Sequence, residues 1–386
     1  MKTFIDFILK TLLCFVQSLD LVLSNECGAV GEISQVVPGK RSAGARILPL
    51  LDFVDGRTIH KKIPIDAVLK GFVVRMKGYV NATWSSGAPV ADAGGIFKAL
   101  VEDISVTASS ETVKQLTPDQ LKYLVDLRSS KASDPLLLVN SKKLGAGAVR
   151  GEFAWGTTGQ DVAFSESRYV SFENNLTRSQ ALTYFDSSAH LQSTIDINCK
   201  NILAELEGSA STAVGFAIAD SQIEFEIHLI TSDGDLGTPF RTFRQTYLDV
   251  TFDGANTAKL VDVKREALIM GMTLEFTHRT TATGAVRPVT HEESNLILTG
   301  MKKNGKEIIK DKISLANLIE ENFNKLPQTV YHDGKAYYNF LQNADLSTAI
   351  EAYLTTTLEL DVSLDNSLDF ATGTYGLRIH FNEIIR

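Results

Sequence analysis

Leu69-Lys70-Gly71-Phe72-Val73-Val74-Arg75-Met76 and Leu268-Ile269-Met270-Gly271-Met272-Thr273-Leu274-Glu275-Phe276 open two stretches that follow the same order of elements. The first continues as a strand through Tyr79 and Val80. A polar loop rich in Thr, Ala and Gly follows each, at 81–95 and 278–293, and then a second strand, at 104–108 and 296–301. Next comes a short helix whose start is signalled chemically. Thr117 is placed to cap it in the first stretch, with Pro118 at the first helical position, and Ser314 is placed to cap it in the second. Behind the caps, Leu121, Leu124 and Val125 correspond to Leu318, Ile319 and Phe323 as the faces expected to be buried. The caps lie 197 positions apart and the opening strands 199, a spacing that marks an internal repeat.

The closing strands match as well. Ser193-Thr194-Ile195-Asp196-Ile197 resembles Thr356-Thr357-Leu358-Glu359-Leu360, and 223–229 resembles 375–381, each alternating apolar and polar residues. A period of two buries one face of a strand and leaves the other polar, as in an antiparallel sandwich. A parallel α/β sheet would show continuous apolar runs separated by long helices, and none occurs. The sequence therefore predicts an all-β chain of two tandem antiparallel jelly-roll sandwiches, each with a short helix in a loop. The expected divisions are an N-terminal amphipathic helix at 1–24, an extended linker at 25–57, a first lobe at 58–232, a connector at 233–264 and a second lobe at 265–386. The connector carries Gly234, Gly237, Pro239 and Gly254, with one strand expected at 246–252. Residues 136–185 read as extra material in the first lobe, with no role assigned.

Composition fits two packed domains. The chain has 386 residues, 44% of them hydrophobic and 22% charged, enough to build two cores. The formal net charge of −8 lacks the basic footprint of a protein that coats nucleic acid, so no direct, specific nucleic-acid binding is expected. Cys14, Cys27 and Cys199 are too few and too scattered for a disulfide framework or a zinc site, and read as free thiols in a reducing cytoplasm.

At the N-terminus, Ile5, Ile8, Leu12, Phe15, Leu19 and Val22 recur at spacings of three and four and fall on one helical face. Asp6 and Lys10 interrupt the run, which fails the requirement of about 20 nearly uninterrupted apolar residues for a membrane-spanning helix. They also sit where the apolar region of a signal peptide would lie. The face is read as meeting a membrane surface or a partner, with packing on the protein's own core and a signal peptide as alternatives.

A search for reactive constellations leaves no catalytic, cofactor-binding or metal-binding residue to name. The seven histidines form no His-x-His pair and no HExxH, and no GxSxG elbow or phosphate-binding loop occurs. His228 and His380 hold equivalent places in alternating strands and read as surface or interface residues. Glu224 and Glu226 share a polar strand face, and Asp196 stands alone on its own strand. Asp233-Gly234-Asp235 lacks the further acids of a calcium loop. Asn81 and Asn175 head glycosylation-type triplets without meaning in a cytoplasmic setting.

Taken with the repeated order at 69–127 and 268–323, the closing strands and the N-terminal helix, the chain resembles the double jelly-roll major capsid proteins of tailless, membrane-containing icosahedral bacteriophages such as the tectiviruses, corticoviruses and finnlakeviruses. The resemblance implies a structural, non-enzymatic protein that needs no cofactor and is made in the host cytoplasm for the virion. It implies pseudo-hexagonal homotrimers that contact neighbouring capsomers and tile a shell. It places the helix beneath the shell, near internal lipid, with minor capsid proteins as further partners. The alternative is a carbohydrate-binding or carbohydrate-active sandwich, whose sign would be several Trp or Tyr on a concave sheet face. The chain has only Trp84 and Trp155, both in expected loops or strand edges.

Overall fold

The computed structural model describes residues 45–65, 68–87, 89, 95–126, 155–172, 184–209, 213–232, 242–263, 266–282, 284, 286–308, 312–325, 332–341 and 346–385. The first lobe contains β1 (Ala45–Ile47), β2 (Leu51–Asp52), β3 (Thr58–Lys62), β4 (Val68–Thr83), β5 (Val101–Ala108), β6 (Glu111–Leu116), β7 (Asp161–Ser171), β8 (Phe185–Asp186), β9 (Ser193–Cys199) and β10 (Ala217–Thr231). Helices α1 (Ile96–Leu100), α2 (Pro118–Asp126) and α3 (Ile202–Ser209) lie in its loops. The second lobe contains β11 (Thr242–Phe252), β12 (Ala258–Asp262), β13 (Leu268–Thr280), β14 (Val286–Pro288), β15 (Ile297–Lys303), β16 (Lys306–Glu307), β17 (Ile313–Ser314), β18 (Lys335–Asn339), β19 (Ile350–Glu351), β20 (Leu358–Leu364) and β21 (Gly373–Ile385). Its helices are α4 (His291–Asn295) and α5 (Leu315–Lys325).

The two lobes repeat one strand order. In the first, β1 and β2 border β10, which pairs β4, which pairs β7; the facing sheet runs β3–β9–β5–β6. In the second, β11–β21–β13–β18 and β12–β20–β15 follow the same path, with β16 and β17 beside β15 in the place of β6. Most successive strands in each lobe switch sheets, which makes each a jelly roll. Alternation explains the burial. Phe72, Val74, Met76 and Val80 of β4 point into the first core, and Met272, Leu274 and Phe276 of β13 into the second. Each such side chain contributes about 1.5–3 kcal/mol by leaving water.

The repeat extends to packing detail. Val73 pairs with Tyr169, and Thr273 pairs with Tyr337. Two residues before each, at Gly71 and Gly271, the tyrosine ring lies across the glycine. A Cβ on Gly71 would come within 2.7 Å of the Tyr169 ring and 2.6 Å of the Val170 carbonyl, and one on Gly271 would run into the Tyr337 hydroxyl. The ring covers backbone that no side chain of the glycine could share, so glycine is required on both strands for want of space.

The two expected helix caps form as read, with Gln120 N donating to Thr117 Oγ1 at 3.2 Å and Asn317 N to Ser314 Oγ at 3.2 Å. Elsewhere the structure departs from the sequence reading. The linker assigned to 25–57 includes β1 and β2, which pair with β10 of the first lobe. The connector assigned to 233–264 includes β11 and β12, both strands of the second lobe: β11 pairs β21 along its whole length and β12 pairs β20. The stretch 136–185 includes β7, an integral strand beside β4. The loop expected at 278–293 begins in strand β13 and includes β14 and α4. Phe323, expected to be buried with Leu318 and Ile319, is 44% exposed. Its neighbour Asn322 turns inward instead, donating to Tyr337 O at 2.8 Å and accepting from Tyr337 N, and so ties α5 to β18.

Replacing Gly271 by Ala is expected to destabilise the second lobe by about 1–3 kcal/mol, through overpacking against Tyr337. Denaturant unfolding checks this. An unchanged midpoint for Gly271→Ala would show that the ring yields freely.

Candidate assembly interface

The lobes are joined through their sheets. Strand β6 of the first lobe lies parallel to β11 of the second, with Lys114 opposite Gln245, so that one ten-stranded sheet crosses the chain. Lys114 is fully buried there. Its Nζ donates to Gln245 Oε1 at 2.6 Å and sits 3.6 Å from the Phe243 ring centroid. Gln245 Nε2 in turn donates to Asn382 Oδ1 at 2.6 Å. A buried ammonium is tolerated only when hydrogen bonds and ring faces replace its lost water, and both are supplied here.

The rest of the junction is also polar. Gln120 of α2 donates to Thr273 Oγ1 at 3.1 Å, and the Tyr123 ring meets His332 edge-on at 4.9 Å. Tyr247 donates to Asp103 Oδ2 at 3.2 Å across the lobes, and burial with that carboxylate pushes its hydroxyl up to about 12. Behind this, Glu275 is bridged by Lys335 at 3.0 Å and His380 at 3.4 Å. Burial alone would raise the Glu275 pKa, but Lys335 and His380 hold it well below the usual carboxylate range. Burial lowers the pKa of His380, which therefore stays neutral near pH 7. The outer face of the β11–β21–β13–β18 sheet, which a lone sandwich would leave wet, is thus largely closed off by the first lobe.

Of the other residues singled out by sequence, several have structural partners and the rest include residues that are not described. The six helix-face residues Ile5, Ile8, Leu12, Phe15, Leu19 and Val22 lie outside the described residues, as do Cys14, Cys27, Asn175, Asp233 and Asp235. Glu226 is bridged by Lys77 at 3.3 Å and His228 at 2.8 Å, and Asp196 pairs with His60 at 2.8 Å. Asn81 donates to Asp161 Oδ1 at 2.8 Å, locking β4 to β7. Trp84 and Trp155 pack against the first core, Trp155 edge-on to Phe216, and do not form an aromatic platform for a sugar. Cys199 is buried, and burial pushes its thiol up to about 11. Among the described residues, no three His, Cys, Asp or Glu side chains are grouped to hold a metal ion. Sequence reasoning missed the junction residues Lys114, Gln120, Gln245 and Tyr247. The faint signal for them was polar residues standing at positions where a strand or helix should be buried.

No protein-family model and no curated protein sequence matches the chain. Solved structures do. The STIV MCP, from Sulfolobus Turreted Icosahedral Virus, superposes with a TM-score of 0.59 at 13% identity, over 89% of this chain and 97% of that one. The Faustovirus major capsid protein gives 0.53 at 10% identity, over 97% of this chain and 96% of that one. The PBCV-1 virus capsid gives 0.52 at 10% identity, over 92% and 98%. The chain has the double jelly-roll fold of these capsid proteins.

Groups at the junction, together with Glu293 within the second lobe, make stability depend on pH in a calculable direction. His380 has a lowered folded pKa, so the unfolded chain binds the extra proton and stability falls as pH drops below about 6.5. Glu275, and Glu293 held down to about 2 by Arg287, add loss below about 4.3 for the same reason. Urea midpoints are expected to fall between pH 7 and 5.5, with a shallower fall for His380→Gln. Equal slopes for the two proteins would show that His380 titrates normally.

Proposed function

We propose that this chain is a non-enzymatic structural protein that builds the icosahedral shell of a tailless bacteriophage. It does so as pseudo-hexagonal homotrimers around an internal membrane, is made in the host cytoplasm and needs no cofactor. The observation that carries the reading is the repetition of one strand order in two lobes fused by a continuous sheet. A rigid pair of lobes with one strand order, set three times about an axis, gives an outline that approaches six-fold, imperfectly because the first lobe is longer, and such an outline tiles a shell. The likeness in fold to the capsid proteins named above supports the same reading. The apolar face of residues 1–24 is assigned to the inner side of the shell, against lipid or a minor capsid protein.

Light scattering and electron microscopy of the purified protein test this. The expected species is a particle of three 42.2 kDa chains with a hexagonal outline. A monomer that persists at high concentration would overturn the proposal. Deleting residues 1–24 is expected to leave folded trimers and to impair assembly of closed particles. Loss of all soluble folded protein would instead assign that helix to the core.

A further inference from the structure

The two sandwiches meet without sharing a core. Among the described residues, one buried apolar cluster runs from Leu48 to Leu229, and the others lie between Phe243 and Ile384. Backbone pairing between the lobes is confined to Gln245 opposite Lys114. The rest of the seam is side-chain hydrogen bonds, ring contacts and charges. Parting the lobes would leave both cores packed.

His380 stands inside this seam. It is 1% exposed and pairs with Thr273, to which Gln120 of the first lobe donates. Its Nε2 lies 3.4 Å from Glu275 Oε2, and its Nδ1 is buried with no hydrogen-bond partner. The Tyr247 ring of β11 is 5.6 Å away. The charged groups around it already have partners. Glu275 of β13 is bridged by Lys335 of β18, and Arg378 of β21 is paired with Asp249 of β11. From the first lobe, Asp119 of α2 faces Lys335. Lys335 and Arg378 oppose a charge on the imidazole, and Glu275 favours it.

We propose that His380 is an acid-operated release for the seam: when it takes up a proton, the two lobes part while each sandwich stays folded. Imidazolium carries two N–H donors where neutral imidazole carries one. In the closed seam the Nδ1 proton meets no acceptor, and the charge sits away from water with Lys335 and Arg378 against it. With the lobes apart, water solvates both the donor and the charge. Burial is the largest cause lowering the His380 pKa in the closed form, so the open form binds the extra proton. Closure is therefore firm above the ordinary histidine value of 6.5 and weakens as pH falls below it. The acid response is thereby assigned to the seam, and the cores are spared. It holds whether or not the chain builds a shell.

Hydroxyl-radical footprinting of the full chain at pH 7.5 and pH 5.5 tests this. Tyr123 and Tyr337 report on the seam, and Phe72 and Phe276 on the two cores; all are buried in the closed form. One histidine released to its ordinary value raises the open fraction about tenfold between these two pH values. Oxidation of Tyr123 and Tyr337 is expected to rise by about that factor, with Phe72 and Phe276 unchanged. His380→Gln is expected to abolish the rise. His332 meets Tyr123 edge-on at the same seam, and His332→Gln is expected to keep the rise. Seam and core residues oxidised in step, no rise at all, or a rise that follows His332 would overturn the proposal. The comparison of seam with core in the unaltered chain decides the matter even where a variant fails to fold.

Discussion

The outer face of a sandwich sheet is ordinarily solvated, and here the face of β11–β21–β13–β18 is not. That burial governs the rest of the structure. Once the first lobe lies over it, the polar groups on that face lose water, and protein partners replace it for many of them. Lys114 reaches Gln245, Gln245 reaches Asn382, Gln120 reaches Thr273, and Glu275 is held between Lys335 and His380. The junction is therefore a hydrogen-bonded surface with fixed geometry, where a greasy contact would allow sliding. Lobe orientation is specified by direction-dependent bonds whose loss would leave charges buried.

How much of this was legible in the sequence varies with how many faces each element buries. Strands with one wet face were read correctly: β9, β10 and β20 show the period of two that a half-buried strand requires, and β21 keeps it in sequence because its covered face is polar. The capped helices were legible for a different reason, since Thr117-Pro118 and Ser314 declare a helix start through local chemistry alone. Strand β11 was only partly seen. Phe243, Gln245, Thr246 and Phe252 are all buried, on both faces, so its sequence loses the alternation, and the glycines and proline around it read as a connector. The same cause hid β7, whose Ser165, Glu166, Ser167 and Arg168 are buried although polar, with Glu166 and Arg168 paired to each other.

The junction itself was the least legible part. A lysine, two glutamines and a tyrosine look like surface residues until the second lobe is in place. Nothing within ten residues of Lys114 announces that it will be sealed under Phe243. Asn322 and Phe323 teach the same point on a smaller scale. Hydrophobicity favoured Phe323 for the interior, but the open backbone groups of Tyr337 at the edge of β18 selected the amide of Asn322. Backbone demand outranked side-chain hydrophobicity there.

The covalent tether between the lobes has its own consequence. Because both halves belong to one polypeptide, their encounter is unimolecular, with an effective concentration in the millimolar range for a short link. A seam rich in amides and carboxylates would be a weak adhesive between separate molecules, yet it suffices when its two sides can never diffuse apart. Tethering thus relieves this seam of any need for intrinsic affinity, and leaves its residues free to be chosen for angular accuracy.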